Sequence, residues 1–310
     1  MRALIIGYGS IGARHYRILV NLELEVAVVC RREIDIPNRF ANIAEALDKW
    51  QPNYVIIASR THEHFNDLIT LVNYGFDGIT LIEKPLFHTS MPIPVKDLPN
   101  VYVGFNLRFH PVIRNLREIL QHRRICAVHC YVGQYLPDWR QGANYKNSYS
   151  ASRSQGGGVL RDLSHELDYI TWLLGGWSEV VAVGGKYSSL EIESDDVFSI
   201  LLSTPMCAIT TINMNYLDTQ LHREIHILTD TGTVHADLIS GTIARDGEVL
   251  EFFQDRDETY IAQHLAILRK KDQNLLCSLD EGINIMELIS SAELAANKKK
   301  WISKRNNQHV

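Results

Sequence analysis

Two short stretches hold side chains suited to moving protons. "IEKPL" sets Lys84 directly before Pro85, and "GGGVLRDLSHELDY" (156–169) sets His165 between Asp162 and Asp168. An imidazole with an ordinary pKa of about 6.5 gives or takes a proton near neutrality. Acids three residues away on either side sit beside it on a helix and can orient it. An ammonium can polarise a carbonyl oxygen or share the proton. Together these groups suit a carbonyl–alcohol interconversion in which hydride passes directly between a cofactor and carbon. A core histidine satisfied by two acids has the same local sequence, so the rest of the chain has to decide.

The elements around Lys84 favour the chemical reading. "ALIIG" (3–7), "VAVVC" (26–30), "YVIIAS" (54–59), "GITLIEKP" (78–85) and "VYVGF" (101–105) are short continuous apolar runs. Helical stretches separate them at 10–21, around 44–50 and at 62–74. Such runs predict parallel strands covered on both faces, in a doubly wound α/β domain over residues 1–120. Lys84 then lies at the carboxyl end of a strand, where ligands of open α/β sheets bind. The following proline holds the lysine backbone extended.

The first strand runs into "GYGSIG", a Gly7-x-Gly9-x-x-Gly12 motif at the mouth of a helix. The first glycine permits a tight turn. The second admits a pyrophosphate to the backbone, and the third lets helix and strand pack closely. The helix N-terminus, with Ser10 and Ile11, offers N–H groups to the phosphates. An acid at the end of the second strand would hold a free ribose hydroxyl, but "VVCRRE" has Cys30 there, followed by Arg31 and Arg32. Two guanidiniums suit a 2′-phosphate, so NADP(H) is expected over NAD(H).

After a helix near 110–122 the pattern changes. Long strands at 125–136, 179–187, 196–204, 207–217, 223–230 and 233–239 predict a large, mostly antiparallel open sheet in a second, α+β domain, 121–310. Leu160, Leu163, Leu167, Ile170 and Leu174 make one apolar stripe on a helix over 160–174 that covers the sheet, with His165 on the opposite face. In "CAITTINMNYL", Ala208, Thr210, Ile212 and Met214 share one side, and Ile209, Thr211, Asn213 and Asn215 the other. A sheet half-covered by one helix predicts a homodimer or homotetramer through its open face. Helices near 258–272 and 281–298 close the chain, and the basic "KKKWISKR" reads as a solvated helix end. The loop 135–158 is long and rich in Tyr, Ser, Asn and Gly. Its Arg140, Tyr145, Lys146, Tyr149 and Arg153, together with Arg108, suit sugar hydroxyls and a carboxylate or phosphate.

"GYGSIG", "ASRTHEHF", "EKP", "VGFNLRFHP" and "GGGVLRDLSHELDY" occur in the order found in the Gfo/Idh/MocA oxidoreductases, which the whole chain resembles. The resemblance implies a Rossmann domain followed by a domain with a large open sheet often used for oligomerisation. It implies that Lys84 and His165 are catalytic and meet across an interdomain cleft. Ser59, Arg60, His62 and Glu83 are then placed at the cofactor. The family's acid usually stands four residues before the histidine, where this chain has Arg161. Asp162 takes that part here, and Asp168 orients or meets the substrate. The wording of 144–158 is similar to members that accompany bacterial surface-sugar pathways, which implies an acidic or nucleotide-activated sugar. Gly156–Gly158 would let the backbone pass beside nicotinamide and sugar.

With 310 residues, 45% hydrophobic and 22% charged, the chain is long enough for two globular domains. A net charge of −5 argues against nucleic acid as partner. No apolar run is long enough for a membrane span, and the first residues form a strand rather than a signal peptide, so a cytoplasmic protein is expected. The five cysteines show no CxxC pair and read as buried, reduced thiols, with Cys126 and Cys130 able to share a strand face but not to make a zinc site; no metal is expected. Two rival functions fit the same fold: a noncatalytic NADP(H)-binding regulator, and a reductase of a non-sugar carbonyl or imine.

Overall fold

The computed structural model describes residues 1–93, 98–121, 123–140, 142 and 144–304. Arg305 of the basic tail lies outside them. The chain divides into two compact units, Met1–Asn106 with Arg256–Ile283, and Leu107–Asp255 with Asn284–Val310.

The first unit is built on strands β1 (Arg2–Ile6), β2 (Glu25–Val29), β3 (Arg39–Phe40), β4 (Tyr54–Ile57), β5 (Ile79–Ile82) and β6 (Val101–Val103). Helices α1 (Ser10–Asn21), α2 (Ile43–Trp50) and α3 (His64–Asn73) connect them, and the helix Glu258–Arg269 belongs to the same unit. The sheet order is β6-β5-β4-β1-β2-β3, all parallel, with Cys277–Ser278 added antiparallel to β6. The continuous apolar runs are explained by burial on both faces: Ala3–Ile6, Val26–Val29 and all of β4 are buried. The chain leaves β1 toward β2 on one side and returns to β4 on the other. This reversal creates the crevice at the carboxyl ends of β1 and β4 in which doubly wound sheets bind ligands.

The second unit opens with α4 (Pro111–Leu120) and β7 (Ile125–Gly133). It continues through the short helices α5 (Val159–Asp162) and α6 (Ser164–Leu173) to β8 (Glu179–Gly185), β9 (Val197–Ser203), β10 (Thr210–Asn215), β11 (His222–Thr229), β12 (Gly232–Asp237), β13 (Thr242–Arg245) and β14 (Glu248–Glu251). The sheet order is β14-β13-β12-β11-β7-β10-β9-β8, with Ile302–Ser303 beside β8. One central pair, β7 and β10, is parallel, so the sheet is mixed rather than wholly antiparallel. The reason is topological: after β7 the chain leaves the sheet through the 135–158 loop and α5–α6, and β8–β10 then approach β7 from its far side. The β13–β14 hairpin, absent from the sequence reading, turns on Asp246-Gly247, a dipeptide typical of two-residue hairpin loops, and both residues have positive φ. No helix among the described residues is long and apolar enough to cross a membrane.

Two local expectations need correction. The first is the 160–174 helix, which is broken at Leu163 (φ −99°, ψ 27°) and has no solvated face. Residues 159–171 are all buried, including Arg161, Asp162, His165, Glu166 and Asp168. The polar residues opposite the apolar stripe therefore have protein around them. The second is Cys126, which is exposed while Cys130 is buried. Thr229 pairs with Ile125 and Leu228 with Ala127, so Cys126 is the extra residue of a bulge. An inserted residue reverses the in–out alternation beyond it.

Candidate active site

In the first unit the glycine motif forms a cradle. Gly7 has φ +95°, and a Cβ there would stand 2.6 Å from the Ser59 backbone. At Gly12 a Cβ would stand 2.1 Å from the Gly7 carbonyl oxygen. At Gly9 it would meet nothing within 4 Å, so this glycine faces open space. Gly9 caps α1 without a side-chain acceptor, and the first-turn N–H groups beside Ser10 and Ile11 are left for a ligand's oxygens.

Cys30 directly follows β2, at the position where the fingerprint places an acid. Arg31 reaches Glu63 at 2.6 Å, and Arg32 donates to the Tyr8 carbonyl at 2.7 Å. Arg39, which the sequence reading missed, donates to the Cys30 and Arg32 carbonyls. Three guanidiniums thus surround the end of β2. Beyond β4, Ser59 donates to Asp67 at 2.5 Å, Arg60 is exposed, and His62 Nδ1 is buried with no hydrogen-bond partner among the described residues. Burial lifts the Asp67 carboxyl to about 6.

Lys84 sits at the end of β5, half-buried, and its peptide bond to Pro85 is cis. Behind it runs a buried chain of hydrogen bonds. The Lys84 N–H donates to Glu83 Oε2 at 3.2 Å, and Glu83 Oε1 meets His15 Nε2 at 2.8 Å. His15 Nδ1 meets His264 Nε2 at 2.8 Å, and His264 Nδ1 meets the Tyr54 hydroxyl at 2.9 Å. Glu83 was expected at the cofactor, yet the structure uses both its oxygens inside the protein. Burial pushes His264 well below the usual imidazole range and the Tyr54 phenol well above its own. His15 carries a faint sequence signal: it lies three and four residues before Ile18 and Leu19, on the buried face of α1.

In the second unit His165 lies in the first turn of α6 and is 8% exposed. Asp162, at the end of α5, accepts a 2.6 Å hydrogen bond from the Tyr216 hydroxyl. Tyr149 also bonds to Asp162; burial and that carboxylate push both phenols far up, so they stay protonated donors. Trp139 packs edge-on against Tyr216, and Arg140 lies 5.6 Å from the Tyr149 ring centre. Asp162 is thereby linked to the loop before α5. A cleft of about 250 Å3 opens in that loop, lined among others by Trp139, Arg140, Asn144, Tyr145, Asn147 and Ser148. No sequence signal pointed to Tyr216, 54 residues from its partner.

Other expected substrate contacts are placed differently. Arg108 and Asp168 hold each other: Nε lies 2.9 Å from Oδ2 and a terminal nitrogen 2.7 Å from Oδ1, with exposures of 2% and 1%. Both residues are buried. Lys146 pairs with Glu191 at 2.5 Å, and Arg153 with Glu293 at 3.4 Å. Arg161, where the resembled family has its acid, pairs with Glu293 at 2.8 Å. The glycines before α5 serve internal packing. A Cβ at Gly157 would stand 2.1 Å from the Tyr149 carbonyl oxygen. At Gly158 (φ +118°) it would stand 2.3 Å from Asp195, whose carboxylate and carbonyl accept the N–H groups of Leu160 and Val159.

Comparison with known proteins matches both units. Residues 1–93 match the domain family described as "Oxidoreductase family, NAD-binding Rossmann fold", and residues 113–235 match the "GFO/IDH/MocA C-terminal domain". Levoglucosan dehydrogenase of Pseudarthrobacter phenanthrenivorans is 28% identical over 175 residues, 54% of this chain and 44% of that protein. Inositol 2-dehydrogenase of Corynebacterium glutamicum is 28% identical over 206 residues, 60% of this chain and 57% of that protein. The matched region thus spans about half the length of these curated relatives. Among solved structures, a levoglucosan dehydrogenase complexed with NADH and levoglucosan superposes with a TM-score of 0.84 at 16% identity, covering 98% of this chain and 99% of that one. GenD2 from gentamicin A biosynthesis, complexed with NAD, superposes with a TM-score of 0.80 at 18% identity, covering 98% and 96%. At these identities the superpositions speak for the fold alone.

Proposed function

The chain belongs to the Gfo/Idh/MocA family of oxidoreductases, and from that premise we propose that it is a nicotinamide-dependent dehydrogenase of a sugar-type substrate. The observation that carries the reading is the cradle of Gly7, Gly9 and Gly12 beside strand ends that bear Ser59 and Lys84. The open space at Gly9 and the uncapped N-terminus of α1 fit a pyrophosphate. When bound, the nicotinamide supplies the hydride acceptor or donor. His165 takes the proton of the substrate hydroxyl in oxidation and returns it in reduction. Lys84 polarises the same oxygen. Asp162, which accepts the Tyr216 hydroxyl, favours the imidazolium that forms.

The cleft in the 135–158 loop suits a small polar substrate. It is smaller than the roughly 300–1,000 Å3 of drug-sized ligand pockets, and Asn144, Asn147, Ser148 and Tyr145 offer hydroxyl and amide partners under Trp139. Arg140 at its edge fits an acidic or nucleotide-activated sugar. The test is oxidation of a panel of neutral sugars, sugar acids and nucleotide sugars, followed by nicotinamide absorbance. Turnover of a sugar in the intact protein supports the reading. A panel on which every member is inert, beside tight cofactor binding, returns the chain to a binding regulator.

The cofactor reading extends to NADP(H). Arg31, Arg32 and Arg39 cluster where an acid would hold the ribose, and a charge-assisted bond to a 2′-phosphate contributes about 1.5–3 kcal/mol. NADPH is expected to bind roughly ten- to a hundredfold more tightly than NADH, a ratio the Arg31→Ala, Arg32→Ala double variant abolishes. Calorimetric titration of both cofactors checks it, and equal dissociation constants in the unaltered protein refute it.

Assembly as a homodimer or homotetramer through the second sheet belongs to the same reading. Val183, Ile209, Leu228 and Tyr131 are exposed there, 69% for Val183. The centre of that face is more polar than expected, with His129, Thr211, Asn213 and Glu224. Light scattering is expected to give a multiple of 35.3 kDa, and a monomer mass at micromolar concentration would exclude it.

A further inference from the structure

We propose that the open face of the second sheet carries a divalent transition-metal site made by Glu224, His226 and His235. The three residues come from one hairpin. His226 on β11 is in register with His235 on β12, so their side chains leave the same face directly opposite each other. Glu224 stands two residues before His226 and therefore on that face too. The two imidazoles stack at 4.1 Å between ring centres, with 19° between their planes. Their Nε2 atoms converge on one carboxylate oxygen: Glu224 Oε2 is 3.7 Å from His226 Nε2 and 3.5 Å from His235 Nε2. All three ligand atoms lie within 4.8 Å of one another.

The two nitrogen–oxygen separations, 3.7 and 3.5 Å, approach what an ion requires. Tetrahedral zinc with bonds of about 2.0–2.2 Å sets its ligand atoms about 3.3–3.6 Å apart. The observed gaps are too long for hydrogen bonds and close to that spacing. His235 Nε2 is withdrawn from solvent and makes no hydrogen bond among the described residues, so a lone pair or N–H is aimed into the gap without a partner. His129 extends the row on β7, opposite His226, but its Nδ1 is held by the Thr211 hydroxyl at 2.8 Å. It borders the site without joining it.

The donor set selects the ion. Two imidazoles with one carboxylate suit Zn2+, Ni2+ or Cu2+, whereas Mg2+ and Ca2+ seek mostly oxygen. Three protein ligands leave at least one position for water. No metal is expected from the sequence; the histidines are nine residues apart, without the close spacing of a familiar metal motif. Only the β11–β12 pairing brings them together. Bound metal would tie the two strands of the hairpin at mid-length, apart from any part in hydride transfer.

Titration calorimetry of the tag-free full chain with ZnCl2 and with NiCl2 tests this. One ion per chain is expected. His235→Ala or Glu224→Gln should weaken binding at least tenfold, and His226→Ala with His235→Ala should remove it. His129→Ala should leave it unchanged, and MgCl2 should give no binding. Melting temperature and light-scattering mass without metal, read for each variant, separate loss of the site from loss of fold or assembly. Absence of saturable zinc or nickel binding overturns the proposal. So does binding that survives the double histidine variant.

Discussion

His165→Ala and Lys84→Met are each expected to slow hydride transfer about a hundred- to ten-thousandfold, the range for losing a general acid–base partner. That range is roughly 3–5.5 kcal/mol of transition-state stabilisation. Cofactor affinity should barely move, because the pyrophosphate cradle lies in the Gly7–Gly12 turn and α1. Single-turnover nicotinamide fluorescence measures the first quantity, and calorimetric titration the second. Asp162→Asn separates two roles. If Asp162 only favours the imidazolium, its loss costs less than the loss of His165. If it shares the proton, the two losses are comparable. Tyr216→Phe should follow Asp162→Asn in direction, since it removes the 2.6 Å bond that positions the carboxylate. Near-normal turnover in both His165→Ala and Lys84→Met would make His165 a core histidine and refute the catalytic assignment.

The sequence exposed what local rules control. The Gly7-x-Gly9-x-x-Gly12 turn depends on backbone conformation and close approach within six residues, and Lys84 on a strand end; both are read from consecutive letters. Apolar runs such as "YVII" announced a sheet buried on both faces. Long-range pairings were hidden. Glu83 and Lys84 looked alike in "EKP", but only the fold supplies His15 and His264, which hold Glu83 inside the protein. The apolar stripe of 160–174 was real, yet its polar side is also covered, because Tyr216, Arg108 and Glu293 reach it from 54, 60 and 132 residues away. A loop composition rich in cations suggested that all of them face a substrate. Partners Glu191 and Glu293 take Lys146 and Arg153, and Arg140 remains at the cleft. The bulge at Cys126 inverts a strand's faces without any glycine or proline to mark it.

Removing one member of the Arg108–Asp168 pair is expected to cost the second unit about 3–5 kcal/mol, because a buried charge then loses its counter-charge. The pair is fixed by a forked guanidinium and both carboxylate oxygens, at 2% and 1% exposure, where water can replace neither partner. Arg108 also lies 5.2 Å from the Trp172 ring, and Arg117 lies 4.0 Å from that ring, so the guanidinium is packed as well as paired. Arg108→Met keeps much of that packing and isolates the charge term. Asp168→Leu replaces the acid by an apolar side chain. Each single variant should unfold at markedly lower denaturant, while the double variant should recover most of the loss, since an apolar pair avoids the desolvation of two ions. Four of the five tryptophans, Trp139, Trp172, Trp177 and Trp301, lie in the second unit, so tryptophan fluorescence follows its unfolding. A substrate-binding role gives the opposite pattern: Arg108→Met would leave the unfolding midpoint in place and raise KM. A stability loss with KM unchanged assigns the pair to the scaffold that seats α6, and with it His165.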